Sequence, residues 1–319
     1  MHAKAGAVTA SVVKLERCGD YDALADYPGV EPADVASVDA LRRALAAAGV
    51  ACGTGEPQSE PDAYTLLRFS RARGGNAAAA VAMLTAMQQW RASARVDSLL
   101  ERFSFPEHEL VQSAWVHGYH KTDKRGRPLY IDRIGCADLD TLFKVTTPER
   151  IAEEHLYEWE LLLRERFPAC SRAAGRPVRQ TMTVVDLAGL SLARFNTARP
   201  VVMALTRLDQ EYYPEFLGDL MLVNAPWVFT AVWAVVSPML GARTQRKVQV
   251  FGDSGYTARL LEYIDAASLP AFLGGEDTDL CPCGTGPWSD PAYNPKLRTH
   301  CVQAEGDETA MFGGGDARV

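Results

Sequence analysis

The 319-residue sequence predicts an α/β protein in which a small helical domain precedes a mostly parallel sheet. Three observations carry that expectation. Alanine and leucine recur at helical spacing through the first third, short apolar runs then alternate with helical stretches, and the grammar changes at Gly126.

Residues 1–35 read as a poorly ordered lead-in, closing on Tyr27-Pro28 and Glu31-Pro32. A helical domain is expected over 36–105. Residues 38–50 repeat apolar positions every three or four and stop at Gly49. Asp62 is suited to cap a helix through Arg73, and the Gly74-Gly75-Asn76 turn restarts one from Ala77 to about Ser93. The second domain spans 106–293. Residues 128–134 alternate as a strand does; Thr147-Pro148-Glu149 supplies an N-cap, a first-turn proline and an acid, so a long helix should follow to about Phe167. Residues 181–187, 220–224 and 247–251 are short apolar runs, with helical stretches at 195–212 and 227–236. Residues 294–319 are polar, end in a glycine run, and are expected to be a disordered tail.

The composition narrows the function. With 47% hydrophobic residues and 23% charged, the chain can build a sizeable core. A net charge of −7 repels nucleic acid and anionic bilayers, so no nucleic-acid partner is expected and membrane contact must be local and apolar. Seven cysteines without regular spacing suit a reducing compartment, and the first thirteen residues lack the continuous apolar core of a secretory signal. A cytoplasmic protein is expected.

Residues 220–242 contain no charge, yet Asn224, Pro226 and Pro238 divide them into a strand, a turn and a helix over 227–236. That helix is too short for the roughly 20 residues a bilayer requires. It is apolar on every face, where a surface helix keeps a polar stripe. Two readings fit: a helix buried in the core, or a lid built on Trp227, Phe229, Trp233 and Met239 that covers an apolar ligand and meets a membrane.

Residues 119–130, 168–175, 212–215, 224–226 and 286–290 resemble the CRAL-TRIO lipid-transfer family, and within it the phosphatidylinositol/phosphatidylcholine transfer proteins of the secretory pathway. Residues 66–73 and Trp90-Arg91 are similar to the helical domain preceding the lipid fold in that family. The resemblance runs from about residue 38 to 293. It implies a CRAL-TRIO lipid-binding domain whose mixed, mostly parallel sheet floors a lipid pocket closed by a gating helix. It also implies a monomer that binds one phospholipid, needs no other cofactor, touches Golgi and endomembranes peripherally, and presents phosphatidylinositol to a kinase. Enclosing two acyl chains, about thirty methylenes at roughly 0.8 kcal/mol each, makes release into water costly, so such a carrier must open at a membrane.

Residue by residue, the resemblance assigns phosphatidylcholine to Tyr119, Tyr130, Trp159, Thr181 and Thr183. Choline has no N–H to donate, so ring faces are its suitable partners, while two threonines spaced by two on a strand share a face and can donate to phosphate. Trp159 stands where a tyrosine is usual and Thr181 where a serine is usual. Phosphatidylinositol is assigned to Arg73, Asp123, Glu215, Thr244 and Lys247, cations for the phosphodiester and carboxylates for ring hydroxyls. Gly74 replaces a lysine of the family pattern, leaving Lys121, Arg243 or Arg246 to compensate. Gly274-Gly275 matches a glycine pair near the fold's hinge, or is a plain turn.

Other functions remain beside this one: a carrier of tocopherol, retinoid or sterol, and a lipid-sensing scaffold without transfer. A hydrolase is not expected, because Gly252-Asp-Ser-Gly255 lacks the strand-elbow pattern and its partners. His117/His120 and Cys281/Cys283 have ligand-like spacing but no second pair, so neither a metal site nor a catalytic residue is assigned.

Overall fold

The computed structural model describes residues 24, 27, 29–50, 63–278 and 284–297. Asp62, Cys281, Cys283, most of the lead-in and residues 298–319 lie outside the described residues.

The helical region comprises α1 (Pro32–Ala47), α2 (Ala63–Ala72) and α3 (Ala77–Ser93). α1 starts earlier than its periodicity suggests, because Glu31-Pro32 opens the helix instead of closing the lead-in. Glu31 is extended at the N-cap, its N–H is accepted by the Asp34 carboxylate at 2.9 Å, and Pro32 takes the first helical position, where a missing N–H costs nothing. Asn76 caps α3 by accepting the Ala79 N–H at 3.0 Å. Val38, Leu41 and Leu45 of α1 and Leu67, Ala80 and Leu84 of the next two helices are fully buried together.

Two short helices, α4 (Leu99–Arg102) and α5 (His108–Ala114), lead to the sheet. The strands are β1 (His117–Thr122), β2 (Pro128–Asp132), β3 (Thr181–Asp186), β4 (Leu217–Val223) and β5 (Val248–Val250), in spatial order β1-β2-β3-β4-β5. β1 and β2 are antiparallel and the other pairs parallel, so the sheet is mixed and mostly parallel. β1 had no legible strand pattern, since His-Gly-Tyr-His-Lys-Thr shows no apolar alternation. β4 begins at Leu217, three residues before its apolar run, because Gly218 and Asp219 interrupt the hydropathy. Glycine is required there: a Cβ would lie 2.3 Å from Arg127 Nη1 and 2.7 Å from the Thr181 carbonyl.

Between β2 and β3 run α6 (Leu139–Val145), α7 (Pro148–Leu161) and α8 (Phe167–Ala174). The expected single helix is split by a π-helical turn, Leu162–Arg166. Pro168 has no N–H for the Arg164 carbonyl, and the ladder is interrupted just before it. α9 (Leu192–Tyr212) joins β3 to β4, α10 (Phe229–Val236) and α11 (Ala242–Gln245) join β4 to β5, and α12 (Tyr256–Tyr263) follows β5.

The two faces of the sheet differ. On the back, Leu129, Ile131, Met182, Val184, Met221 and Val223 pack against Leu260, Ile264, Leu269 and Leu273, all at 0% exposure. On the front, the register aligns Tyr119, Tyr130, Thr183, Leu220 and Val248 in one row across all five strands. All of that row except Tyr119 is only half-buried. A sheet sealed behind and incompletely covered in front has a face available to something other than its own side chains.

Candidate functional site

Of the three rings predicted to surround choline, two meet directly at one end of the front row, and the third packs on the same buried cluster through other rings. Tyr119 and Tyr130 meet edge to face with centroids 4.9 Å apart, and Trp159 of α7 stacks on Tyr213 at 5.1 Å and tilts against Phe216 at 5.3 Å. All belong to, or pack on, one buried cluster. The Arg166 guanidinium covers Tyr119 at 4.6 Å while pairing with Glu158 at 3.0 Å. One face of that ring is therefore already occupied, a feature the sequence spacing did not reveal. The π-helical turn is what brings Arg166 inward, to 8% exposure.

Thr183 lies beside Tyr130 in the register and Thr181 shares its face two residues earlier. Thr181 is buried and its N–H donates to the Phe216 carbonyl at 2.9 Å. Around the row, Tyr130, Asp132 and His155 are enclosed: loss of hydration is the largest influence on each, raising Tyr130 and Asp132. For His155 that loss lowers the pKa, and Asp209 more than reverses it, so the imidazole titrates above its ordinary value. All three side chains are half-buried.

The inositol set is only partly assembled. Glu215 accepts from Arg243 Nε at 3.0 Å and from Lys247 Nζ at 3.2 Å, and Lys247 also donates to the Leu217 carbonyl at 2.7 Å. Thr244 precedes Lys247 in the same turn, its carbonyl accepting the Lys247 N–H at 2.9 Å. Burial pushes the Lys247 ammonium down and Glu215 pulls it part of the way back. Glu215 adopts φ 65, a left-handed conformation that a non-glycine residue holds only when its surroundings dictate it.

Asp123 stands apart from that cluster. Its carboxylate accepts the N–H groups of Arg125 and Arg127 at 2.9 and 2.8 Å and the Arg127 Nε at 2.7 Å, and Arg127 reaches on to Asp219 at 2.7 Å. Those oxygens hold the β1–β2 turn. Arg73 is exposed past the end of α2, with its guanidinium on the Ala72 carbonyl at 3.2 Å. From the same helix it is Arg71, bound to Asp34 at 2.6 Å, whose charge is felt by Lys247. Of the three cations suggested to replace the lysine missing at Gly74, Arg243 reaches Glu215, whereas Lys121 is bound to Asp277.

α10 is the apolar helix expected over 227–236, and it begins at Phe229. It is not buried in the core: Phe229 and Val232 pack on Leu187, Phe195 and Leu222, while Ala231 and Ala234 face outward. Phe229 and Trp233 touch at 5.9 Å. Trp227 lies in the turn before the helix instead of within it, 87% exposed, and Met239 is exposed beyond its end. No described helix is long and apolar enough to cross a membrane.

Two surface clefts, of about 240 and 80 Å³, lie away from the front row: one between Lys124, Arg259 and Tyr263, the other between Tyr64, Arg71 and Arg127. Neither is the lipid space implied beneath α10, whose end of the sheet is covered by Phe229 and Val232. His117 and His120 do not converge: His117 faces Glu154 at 3.5 Å, and His120 bonds Asp277. Among the described residues no cluster of three metal-ligating side chains occurs. Gly252-Asp-Ser-Gly255 is the loop from β5 to α12, where Gly255 supplies the N-cap at φ 77. Gly275 is a close approach and not a plain turn, since a Cβ would fall 1.9 Å from the Leu269 carbonyl oxygen.

A helical N-terminal region, a mixed five-stranded sheet sealed behind, and an apolar helix in front define the class: the chain belongs to the CRAL/TRIO domain family, whose pattern matches residues 112–275. Its fold resembles the crystal structure of Sfh5, with a TM-score of 0.58 over 86% of this chain and 98% of that one, at 15% identity. More particularly, it is 38% identical over 240 residues to the Sec14 cytosolic factor of Schizosaccharomyces pombe, covering 74% of this chain and 83% of that protein. It is 36% identical over 287 residues to the phosphatidylinositol/phosphatidylcholine transfer protein SFH7 of Arabidopsis thaliana, covering 85% of this chain but 51% of that longer protein.

Proposed function

We propose that the chain binds phosphatidylinositol and phosphatidylcholine, one molecule at a time, and transfers them between membranes without catalysing a reaction on them. The observation that carries this reading is the unequal sheet: its back is sealed, while Tyr130, Thr183 and Leu220 of its front row stay half-buried, with the apolar α10 packed over the Leu220 end. The names of the relatives agree with it. In this reading the rings and threonines hold phosphatidylcholine, and the Glu215–Lys247–Arg243 cluster answers to phosphatidylinositol. The protein acts as a cytoplasmic monomer, touches Golgi and endomembranes peripherally, and presents phosphatidylinositol to a lipid kinase.

Transfer of labelled phosphatidylcholine and phosphatidylinositol between vesicles tests the reading, and a neutral isoprenoid as the sole co-purified lipid would overturn it. Thr183→Val separates the two head groups. Its hydroxyl makes no hydrogen bond among the described residues, and removing one hydrogen bond to a charged phosphate should slow phosphatidylcholine transfer about tenfold. Phosphatidylinositol transfer stays unchanged; intact phosphatidylcholine transfer would remove Thr183 from the site.

Trp227→Ser addresses the gate. With 87% of the side chain exposed, folding stability should not change, whereas association with vesicles should weaken by about tenfold as an indole is withdrawn from the bilayer interface. Co-sedimentation with vesicles reads this directly, and undiminished binding would place the membrane contact elsewhere.

A further inference from the structure

The Trp159 indole N–H donates to Asp209 Oδ1 at 2.7 Å, and His155 Nε2 lies 2.7 Å from the same oxygen. Both partners use Oδ1, which leaves Oδ2 without a hydrogen-bond partner among the described residues; the Asp209 side chain is one-third exposed. Through Trp159 the carboxylate is tied to one ring of the proposed cage. Burial raises the Tyr119 phenol, Arg166 draws it back, and the charges of Glu158 and Asp209 push it up again. Asp209 is carried by α9 and His155 and Trp159 by α7, so the group sits where these two helices meet beside the cage.

A quaternary ammonium gains from ring faces and from nearby negative charge, but it has no N–H and cannot use a spare carboxylate oxygen. A primary ammonium offers three donors and gains a charge-assisted hydrogen bond there. Resting on the reading of Tyr119, Tyr130 and Trp159 as a head-group cage, we propose that Asp209 is a specificity-determining acceptor for primary ammonium head groups, so that the chain carries phosphatidylethanolamine as well as phosphatidylcholine. Trp159 and His155 act as positioning residues that fix the carboxylate by its other oxygen.

The test is transfer of labelled phosphatidylethanolamine, phosphatidylcholine and phosphatidylinositol from vesicles containing one labelled lipid at a time in a phosphatidylglycerol matrix. Wild-type protein moves all three. Asp209→Asn keeps an acceptor for Trp159 but loses the charge, and slows phosphatidylethanolamine about tenfold, the worth of one charge-assisted hydrogen bond, with phosphatidylcholine changed far less and phosphatidylinositol not at all. At pH 6, where an imidazole titrating above its ordinary value is protonated, His155→Gln keeps a donor to Asp209 without the opposing charge and raises the ratio of phosphatidylethanolamine to phosphatidylcholine transfer. Phosphatidylcholine transfer without phosphatidylethanolamine transfer in the wild type overturns this inference and leaves the cage standing. Failure to move phosphatidylcholine overturns the cage itself. An equal loss of all three lipids in Asp209→Asn, or an unchanged ratio in His155→Gln, reduces the pair to a tie between helices and overturns the inference as well.

Discussion

Glu160→Gln lowers the free energy of unfolding by about 3 kcal/mol, near the lower end of what breaking a buried ion pair costs. Glu160 of α7 is fully buried and accepts from Arg91 Nη1 at 2.8 Å and Nη2 at 3.0 Å, from the Tyr213 hydroxyl at 2.7 Å and from Arg164 at 3.1 Å. The network ties α3 of the helical region to α7 and to the residue that follows α9. Removing the carboxylate's charge leaves Arg91 with Asp97, at 2.7 Å, as its remaining carboxylate, which is why the loss falls at the low end. Burial alone raises the Glu160 carboxyl, but hydrogen bonds and charge from Arg91, with Tyr213 and Arg164, more than reverse it, so the group titrates below its ordinary value. A depressed carboxyl stabilises the fold above the ordinary glutamate range and loses that contribution as pH falls through the lowered value. Urea unfolding at pH 7 should show the deficit, and acid should narrow the gap between variant and wild type. Equal stability at pH 7 would mean that the network contributes nothing to holding the helical region on the sheet.

Lys247→Ala abolishes phosphatidylinositol transfer to within about a tenth of wild type or less, while phosphatidylcholine transfer remains within about twofold, since a charge-assisted hydrogen bond to an anion is worth tenfold or more and choline binding uses none of this cluster. The expected selectivity rests on the separation of the two proposed sites. Lys247 directly precedes β5 at the Glu215 cluster, whereas Tyr119 and Tyr130 meet at the opposite edge of the sheet. Glu215 keeps Arg243 in the variant, so its carboxylate is not left unpaired and the fold should persist. Head-to-head transfer assays of the two lipids decide it, with Lys247→Arg as the charge-preserving control. An equal loss of both lipids would make Lys247 a structural lysine that closes the Leu217 carbonyl.

The candidate site was unevenly legible. The rings at 119 and 130 face each other across neighbouring strands, whereas Trp159 reaches the same cluster through Tyr213 and Phe216, which no local spacing announced. Arg73 was assigned by resemblance and lies exposed past the end of α2, while Arg71 turns inward to Asp34, a difference that depends on what α2 packs against. Arg166 and Asp209 carried no signal at all. Arg166 points inward only because a π-helical turn shifts the phase of the chain before Pro168, and Asp209 meets Trp159 only because α7 and α9 lie side by side.

Local chemistry in the sequence determined the helices that open on caps and prolines, the apolar strands, and a charge-free helix too short to span a bilayer, since capping, periodicity and length act among near neighbours. Tertiary structure decided the rest. β1 and the start of β4 exist because a neighbouring strand supplies hydrogen bonds to residues with no strand pattern of their own, and α10 is buried on one side only because Phe229 and Val232 find Leu187, Phe195 and Leu222 to pack on while Ala231 and Ala234 find nothing among the described residues. Pairing and burial depend on residues distant in the chain, and no local spacing encodes them.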